Sequence, residues 1–332
     1  MWPDWARTAG RGGRNYFKGY PVCVSIEVTH GCSAACAHCD LGGLRPDEQH
    51  ASPEVYAELL RAMQSPPYIQ ISGGEPLTRP DVLDVVRAVR GSDRTREIIF
   101  VTNGSLLDPP MYERLLKAGV NRLSVSLDFP DERHDAFRKI PGLFRHLSQV
   151  LPAIARCQRG GCAVSLNTAI TSANFREIVQ IAHLAHQWGV GVSYSAYTTM
   201  KTGDPSFLLS AAEVLELSTQ IEQLLRLRAD GLRVLNPPSL LKRTVRYFER
   251  GSIPHCGAGR RFLVIRPDGA LIPCSSFQQS TYPSVEAMRS FVEQNTCGAC
   301  FVAIRAYTDR KPHQFLADTK HLLRAALATP AH

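Results

Sequence analysis

Three cysteines stand close together near the start of the chain, at Cys32, Cys36 and Cys39, with C-x3-C-x2-C spacing. Three thiolates in one short loop can hold three corners of a [4Fe-4S] cluster and leave the fourth iron without a protein ligand. A structural zinc site normally takes four ligands, and so does an electron-carrying cluster. The set therefore indicates a cluster whose open iron binds a further molecule, rather than a loop of reduced cysteines without metal.

A second set of cysteines lies near the end of the chain. Cys256 and Cys274 flank a predicted hairpin over 262–272 with its turn at 266–269, and Cys297 and Cys300 follow in a C-x2-C pair. Four thiols suffice to ligate one iron-sulfur cluster completely, and a zinc ribbon could use the same four. The spacing by itself leaves both metals open.

Between the two sets, polar motifs follow predicted strands. A Gly-Gly-Glu-Pro turn begins at Gly73 after strand 68–71, a Thr-Asn-Gly turn begins at Thr102 after strand 97–101, and Ser126 and Asp128 end strand 122–127. In β/α architectures, catalytic loops sit at the carboxyl ends of parallel strands. A turn residue that satisfies local backbone groups is the alternative interpretation for each.

Together with the three N-terminal cysteines, these turns resemble the radical S-adenosylmethionine (SAM) superfamily. The resemblance implies that SAM chelates the open iron and that Gly73, Gly74 and Glu75 hold its methionine amino group. It also implies that Ser126 and Asn103 line the SAM site. In that chemistry a reduced cluster passes one electron to SAM, which breaks to methionine and a 5′-deoxyadenosyl radical.

The same resemblance places Asp128 at the border of the substrate pocket, and we expect Asn167 and Tyr194 to reach that pocket from later strands. One departure from the family is His38, where an aromatic residue is usual. An imidazole can still pack beside the cluster. No residue is identified as the substrate base or hydrogen donor.

The second cysteine set, with its C-x12-G-x4-C arrangement, resembles the auxiliary-cluster extensions of SPASM and twitch radical SAM enzymes. A full SPASM domain needs three further cysteines, and none follows Cys300. The resemblance therefore implies the shorter twitch type, with one auxiliary [4Fe-4S] cluster beside the SAM-binding [4Fe-4S] cluster.

The expected fold is α/β: six strand-then-helix units forming a partial (β/α)6 TIM-like barrel of radical SAM type, with a small C-terminal iron-sulfur extension. We divide the chain into a loose N-terminal arm (1–20), the barrel (21–200), a helical bridge (201–255), and the auxiliary-cluster domain with a C-terminal helix (256–332). A chain of 332 residues is long enough for a large domain and a smaller one.

Composition excludes some classes of protein. Hydrophobic residues make up 44% and charged residues 20%, and no window reaches the length of a membrane span. The net charge of +8 is spread along the chain, so we expect no nucleic-acid partner. Ten cysteines without a signal peptide favour metal ligation in the cytoplasm over disulfides.

We therefore expect a radical SAM oxidoreductase that abstracts hydrogen from a small molecule such as an aminocyclitol or sugar, with the auxiliary cluster taking an electron. A flavodoxin or ferredoxin system would supply reducing electrons.

A peptide-modifying enzyme that forms thioether or C-C crosslinks is the alternative, and a redox-neutral epimerase or dehydratase is another. We expect a small molecule because the residues before the first strand are too few for a winged-helix leader-binding domain. A third hypothesis is a non-catalytic metalloprotein that binds nucleic acid. Such a protein would not cleave SAM, and its binding to nucleic acid would depend steeply on salt concentration.

Overall fold

The computed structural model describes residues 4–94, 96–157 and 163–311, together with residues 314 and 318. The C-terminal helix expected at the end of the chain falls beyond residue 318, outside the described residues. Among the helices of the described part, none is long and apolar enough to cross a bilayer.

One sheet organises the fold. Its strands are β1 (Cys23–Thr29), β2 (Tyr68–Gly73), β3 (Glu97–Thr102), β4 (Arg122–Ser126), β5 (Ala163–Ile170), β6 (Gly191–Ala196), β7 (Phe262–Ile265) and β8 (Leu271–Ile272). Their spatial order is β6-β5-β4-β3-β2-β1-β7-β8. Neighbours pair in parallel except for β7 with β8, which is the antiparallel hairpin expected at 262–272. The expected six-strand partial barrel is confirmed, and β1 and β6 are not paired with each other.

Helices cover the sheet and connect its strands. They are α1 (Asp4–Lys18), α2 (Pro53–Ala62), α3 (Val82–Ser92), α4 (Pro109–Ala118), α5 (Arg133–Arg138), α6 (Leu143–Arg156), α7 (Ile178–Gln187), α8 (Ala211–Ala229), α9 (Pro238–Arg250), α10 (Arg289–Gln294) and α11 (Ala303–Thr308). Alternate strand residues point to opposite faces. Those that face the helices are apolar and buried in the main core, for example Ile26, Ile71, Phe100 and Val125. The other face is more polar and partly open.

The hairpin β7–β8 joins the barrel directly. Strand β7 pairs with β1 from Cys23 to Ile26, so the expected extension continues the sheet beyond its first strand. Helix α11 contacts β1, β6 and β7 and lies across the opening between the two edges of the six-strand unit. The C-terminal cysteine segment is thereby held against the barrel.

The N-terminal segment differs from the loose arm that its glycines predicted, because it forms helix α1. Thr8, Gly12 and Asn15 are buried at helical spacing, and the Asn15 side chain donates to the carbonyl of Pro21 at 2.9 Å. Glycine disfavours an isolated helix by about 1 kcal/mol per residue relative to alanine. Here tertiary packing outweighs that propensity, and Gly12 lies beside Pro67 and Tyr68.

Candidate active site

The loop that carries the first three cysteines begins where β1 ends. Its backbone is tied to the end of α5, since the amides of Ala35 and Ala37 donate to the carbonyls of Arg138 and Phe137. The Cys36 thiol interacts electrostatically with those of Cys39 and Cys32. The structure therefore brings the three predicted ligands together at the carboxyl edge of the sheet.

The donor chemistry of this loop fits a soft iron centre. Burial raises the pKa of the Cys32 thiol, and it raises the pKa of the Cys36 thiol to about 11, so both thiols must lose a proton when they ligate iron. Among the described residues, no group of three His, Cys, Asp or Glu side chains is arranged around a single metal ion. The described loop offers Cys32, Cys36 and Cys39 as the thiolates that would hold three irons of a cluster.

The Gly-Gly-Glu turn packs against the segment that leads into this loop. The amide of Gly74 donates to the carbonyl of Thr29 at 2.7 Å, and that of Glu75 to the carbonyl of Gly31 at 2.9 Å. A Cβ on Gly74 would overlap the carbonyl oxygen of Gly31, and Gly73 has a φ of +124°. These glycines allow backbone to approach backbone, so the turn and the cysteine loop have one fixed relative position.

The Glu75 carboxylate is fully buried and bonded to protein donors. It accepts from the amide of Asn103 at 2.6 Å and the hydroxyl of Thr102 at 2.8 Å. Burial raises the pKa of Glu75 above its usual value, and this effect outweighs the hydrogen bonds, which lower the pKa. In this arrangement Glu75 fixes the Thr-Asn-Gly turn beside its own turn, whereas the partly exposed backbone of Gly73 and Gly74 remains open to a ligand.

Asn103 lies against the cysteine loop. Its side-chain nitrogen is 3.1 Å from the Ser33 hydroxyl and 3.9 Å from the Cys32 sulfur. The predicted SAM-site residue thus contacts the thiol set directly. An amide donor at this distance stabilises negative charge on the sulfur.

Ser126 and Asn167 face the open, concave side of the sheet. They are register partners on β4 and β5, and Asn167 in turn faces Ser193 on β6, whose hydroxyl is 3.2 Å from its amide oxygen. More hydroxyls follow on this face at alternate strand positions, at Ser25, Ser72, Ser124, Ser165 and Ser195. Their period of two was available in the sequence, although no motif marks them.

Two predicted pocket residues lie elsewhere. Tyr194 points to the opposite face, because it is one residue out of phase with Ser193, and its buried hydroxyl donates to the carbonyl of Ile178 at 2.6 Å. Asp128 is fully buried in an ion pair with Arg138 at 2.7 Å. Burial raises the pKa of Asp128, but the Arg138 charge outweighs it and holds that pKa below its usual range. Neither side chain is open to the concave face.

Arg138 is a site residue that no sequence motif marks. It is buried, its backbone holds the cysteine loop, and its charge interacts with the thiols of Cys36 and Cys39 as well as with Asp128. Next to it, Phe137 stacks on the ring of His38, with ring centroids 4.8 Å apart. His38 therefore packs as an aromatic residue would, and its Nδ1 atom is buried without a hydrogen-bond partner in the described structure.

The four C-terminal cysteines also come together. Cys274 interacts electrostatically with Cys297 and Cys300, and Cys256 with Cys300. The amide of Cys256 donates to the carbonyl of Cys297 at 3.3 Å, which joins the hairpin segment to the C-x2-C loop. Burial raises the pKa of Cys256 to about 12 and that of Cys274 to about 11.

A buried arginine accompanies this set as well. Arg305 on α11 is fully buried, donates to the carbonyls of Cys300 and Ile253, and lies 3.9 Å from the Cys300 sulfur. It pairs with Asp309 at 3.2 Å, and Asp309 accepts from the amide of Gly257. Burial lowers the pKa of Arg305, but the thiolates of Cys256 and Cys300 outweigh that effect and raise it.

One carboxylate joins the two cysteine regions. Glu27 on β1 is hydrogen-bonded to His30 at 2.9 Å, just before the first cysteine loop, and accepts from Ser275 at 2.5 Å, just after Cys274. Burial raises its pKa, but the bonds from His30 and Ser275 and the Lys201 charge hold it at about 2. The ionised Glu27 fixes the hairpin segment against the barrel.

Comparison with known proteins identifies the class that this fold and site define. Residues 26–185 match the radical SAM superfamily. The AdoMet-dependent heme synthase of Methanosarcina barkeri is 36% identical over 193 residues, which cover 55% of this chain and 52% of that protein. Over residues 26–185 the chain belongs to the radical SAM superfamily, and SAM and a SAM-binding [4Fe-4S] cluster are the cofactors of that class. It spans 52% and 59% of the length of two heme synthase relatives, from M. barkeri and Nitratidesulfovibrio vulgaris.

Other relatives extend further along the chain. The PqqA peptide cyclase of Granulibacter bethesdensis is 28% identical over 280 residues, covering 80% of this chain and 71% of that protein. Among solved structures, SuiB of Streptococcus suis, bound to its precursor peptide SuiA, has a TM-score of 0.64 at 15% identity and covers 86% of this chain and 68% of SuiB. This structural likeness establishes the fold alone.

Proposed function

We propose that the protein uses SAM to abstract a hydrogen atom from a polar, uncharged substrate and oxidises it with the help of a second, auxiliary [4Fe-4S] cluster of the twitch type. When bound, the SAM-binding cluster supplies one electron to SAM and thereby a 5′-deoxyadenosyl radical. The observation that carries the proposal is the concave face between the two cysteine sets, which neutral hydrogen-bonding side chains line. We expect Cys256, Cys274, Cys297 and Cys300 to ligate the auxiliary cluster.

The concave face favours recognition through neutral hydrogen bonds. Serine hydroxyls and the Asn167 amide can donate to carbonyls and accept from amides or hydroxyls. The ionic side chains at the inward strand positions, Glu27, Glu97 and Arg122, are already bonded within the protein. The strands therefore offer partners suited to a main chain or a polyol.

Among substrates of this kind, a peptide or protein segment has the broader support. The match to PqqA peptide cyclase covers 80% of this chain, whereas the match to the M. barkeri heme synthase covers 55%. Main-chain amides and carbonyls complement the neutral lining. An aminocyclitol or sugar is the second candidate, because hydroxyls suit the same serine side chains.

A haem-type substrate has less support from the strands. Porphyrins carry carboxylate side chains, which proteins commonly bind through arginine or lysine. At the inward positions of β1 to β6 the described cation is Arg122, which is paired with Glu97 at the amino-terminal end of the sheet.

The chemistry is tested first by anaerobic reconstitution. Roughly eight irons per chain, four for each cluster, with 5′-deoxyadenosine formed from SAM and dithionite, would support both clusters. Replacing Cys32, Cys36 and Cys39 by Ala should abolish SAM cleavage and leave about four irons. Replacing Cys297 and Cys300 should remove the other iron and stop turnover. Deoxyadenosine with only about four irons in the unaltered protein would reassign the C-terminal cysteines to zinc or to structure.

The substrate class is tested by mass spectrometry after co-expression with candidate peptides encoded nearby, and in parallel with aminocyclitols and sugars. A loss of two hydrogens from a peptide would identify the first class. Asn167→Ala should reduce product formation while SAM cleavage continues. Thr168→Val is the matched control, because Thr168 is the next residue on β5 and points away from the concave face to bond the carbonyl of Leu127.

A further inference from the structure

A cleft of about 250 Å³ lies where the end of α1 meets the C-terminal region. Its walls come from the three residues 18–20, from Gly259 and Arg260 before β7, and from the segment around α10 that includes Glu286 and Arg289. It lies apart from the concave face, since none of the serines of that face contributes to it. The radical chemistry described above does not use it.

The charge of the cleft is positive. Lys18, Arg260 and Arg289 are exposed on its rim, and Glu286 is the carboxylate among its lining residues. Within the described part of the chain none of the three cations is in an ion pair. Phe17, adjacent to Lys18, exposes 79% of its surface and is the most exposed large hydrophobic side chain described. Exposed cations outside ion pairs, with an exposed apolar residue adjacent to one of them in the chain, are suited to a small interface with an acidic protein.

Two walls of the cleft are close along the chain to the second cysteine set. Gly259 and Arg260 follow Cys256 by three and four residues, and the fully buried Ala258 belongs to a small apolar cluster on which Cys256 and Cys274 pack. On the other wall, α10 leads from Arg289 directly into the Cys297 loop. A protein docked in the cleft would therefore contact segments that lead directly into the loops of Cys256 and Cys297.

We propose that this cleft docks a small acidic one-electron carrier protein, which takes away the electron that substrate oxidation leaves on the auxiliary cluster. The inference rests on the second cluster of the proposed function. In the transfer the cluster loses one electron and the carrier gains one, and no bond forms or breaks. Weak electron-transfer complexes bury little surface and depend on complementary charge, which matches a compact cationic cleft.

The test compares two triple charge reversals of the full-length protein. The first is Lys18→Glu, Arg260→Glu and Arg289→Glu. The control is Arg114→Glu, Lys117→Glu and Arg145→Glu, at exposed positions of α4 and α6. Both lower the formal net charge from +8 to +2. Binding of oxidised flavodoxin, an acidic carrier used as the probe, is measured by fluorescence anisotropy at several salt concentrations.

Wild type should bind flavodoxin with an affinity that falls as salt rises. The cleft variant should bind at least about tenfold more weakly at low salt and lose most of that salt dependence, because local charge governs the encounter. The control variant should change much less. Equal losses in both variants, or salt-independent binding in wild type, would overturn the proposal in favour of a general charge effect or no docking.

Dithionite-driven SAM cleavage separates this inference from the proposed function. It should be unchanged in the cleft variant, since dithionite needs no docking surface. Absence of SAM cleavage or of auxiliary iron in wild type would refute the proposed function. Normal cleavage and iron content with undiminished flavodoxin binding in the cleft variant would refute the docking site alone.

Discussion

Arg305 offers the sharpest test of the second cysteine set. Arg305→Ala removes a fully buried guanidinium that pairs with Asp309 and donates to the carbonyls of Cys300 and Ile253. Removing one partner of a buried ion pair typically costs about 3–5 kcal/mol, because the remaining charge is left uncompensated. The lost hydrogen bonds are those that connect the chain just before Cys256 to the Cys300 loop.

We therefore expect Arg305→Ala to lower the free energy of unfolding by about 3–5 kcal/mol and to release the auxiliary iron, leaving roughly four irons per chain. Anaerobic urea unfolding and iron analysis measure the two effects. SAM cleavage should persist, since Cys32, Cys36 and Cys39 lie in a separate loop. The exposed Arg176, paired with Glu216, provides the control Arg176→Ala, which should change neither quantity.

A double variant distinguishes loss of charge balance from loss of packing. Arg305→Met with Asp309→Asn removes both charges and keeps an acceptor for the amide of Gly257. If the uncompensated carboxylate is the cause, the double variant should be more stable than the single variant Arg305→Met, which has the same side chain at position 305 but leaves Asp309 charged. Full iron content and an unchanged unfolding midpoint in Arg305→Ala would refute the reasoning.

Three further predictions follow from the barrel. Gly74→Ala should lose the SAM-binding cluster and SAM cleavage but keep the auxiliary iron, because its Cβ would collide with the carbonyl of Gly31; iron content and deoxyadenosine formation measure this. Tyr194→Phe should lower the free energy of unfolding by about 1 kcal/mol and leave SAM cleavage and product formation unchanged, as its hydroxyl serves only the helix-facing side. Burial lowers the pKa of His134 to about 4, so the unfolded chain takes up a proton first as the pH falls below about 6.5. Wild type should therefore lose about 1.3 kcal/mol of stability through this side chain between about pH 7.5 and pH 5.5, whereas His134→Asn should not.

The outcomes that would contradict these three differ. Gly91→Ala is the control for the glycine, since a Cβ there meets nothing within 4 Å, and equal cluster loss in both variants would contradict the steric argument. Loss of product formation in Tyr194→Phe would return Tyr194 to the substrate pocket. A parallel pH dependence of unfolding in wild type and His134→Asn would show that other groups govern it.

The sequence by itself determined the chemistry-bearing loops. Spacing, together with the turns that follow, predicts Cys32, Cys36 and Cys39 as cluster ligands, because ligation by one short loop leaves a local signature. The hairpin over 262–272 and the six β/α units were equally legible, since turn residues and apolar periodicity act over a few residues. The alternation that places Asn167 inward and Tyr194 outward is also present in the sequence, but which of the two faces the concave side depends on the register between strands.

Only the tertiary structure decided how these parts meet. The pairing of β7 with β1, the helix formed by residues 4–18, and the burial of Arg138 and Arg305 beside cysteines depend on contacts between segments far apart in the chain. Sequence motifs mark Glu75 and Asp128 as site residues. Their carboxylates are nevertheless bonded to protein groups that the sequence does not place next to them. A motif specifies which atoms are available, whereas burial and hydrogen bonding from distant residues decide which of them remain open to a ligand.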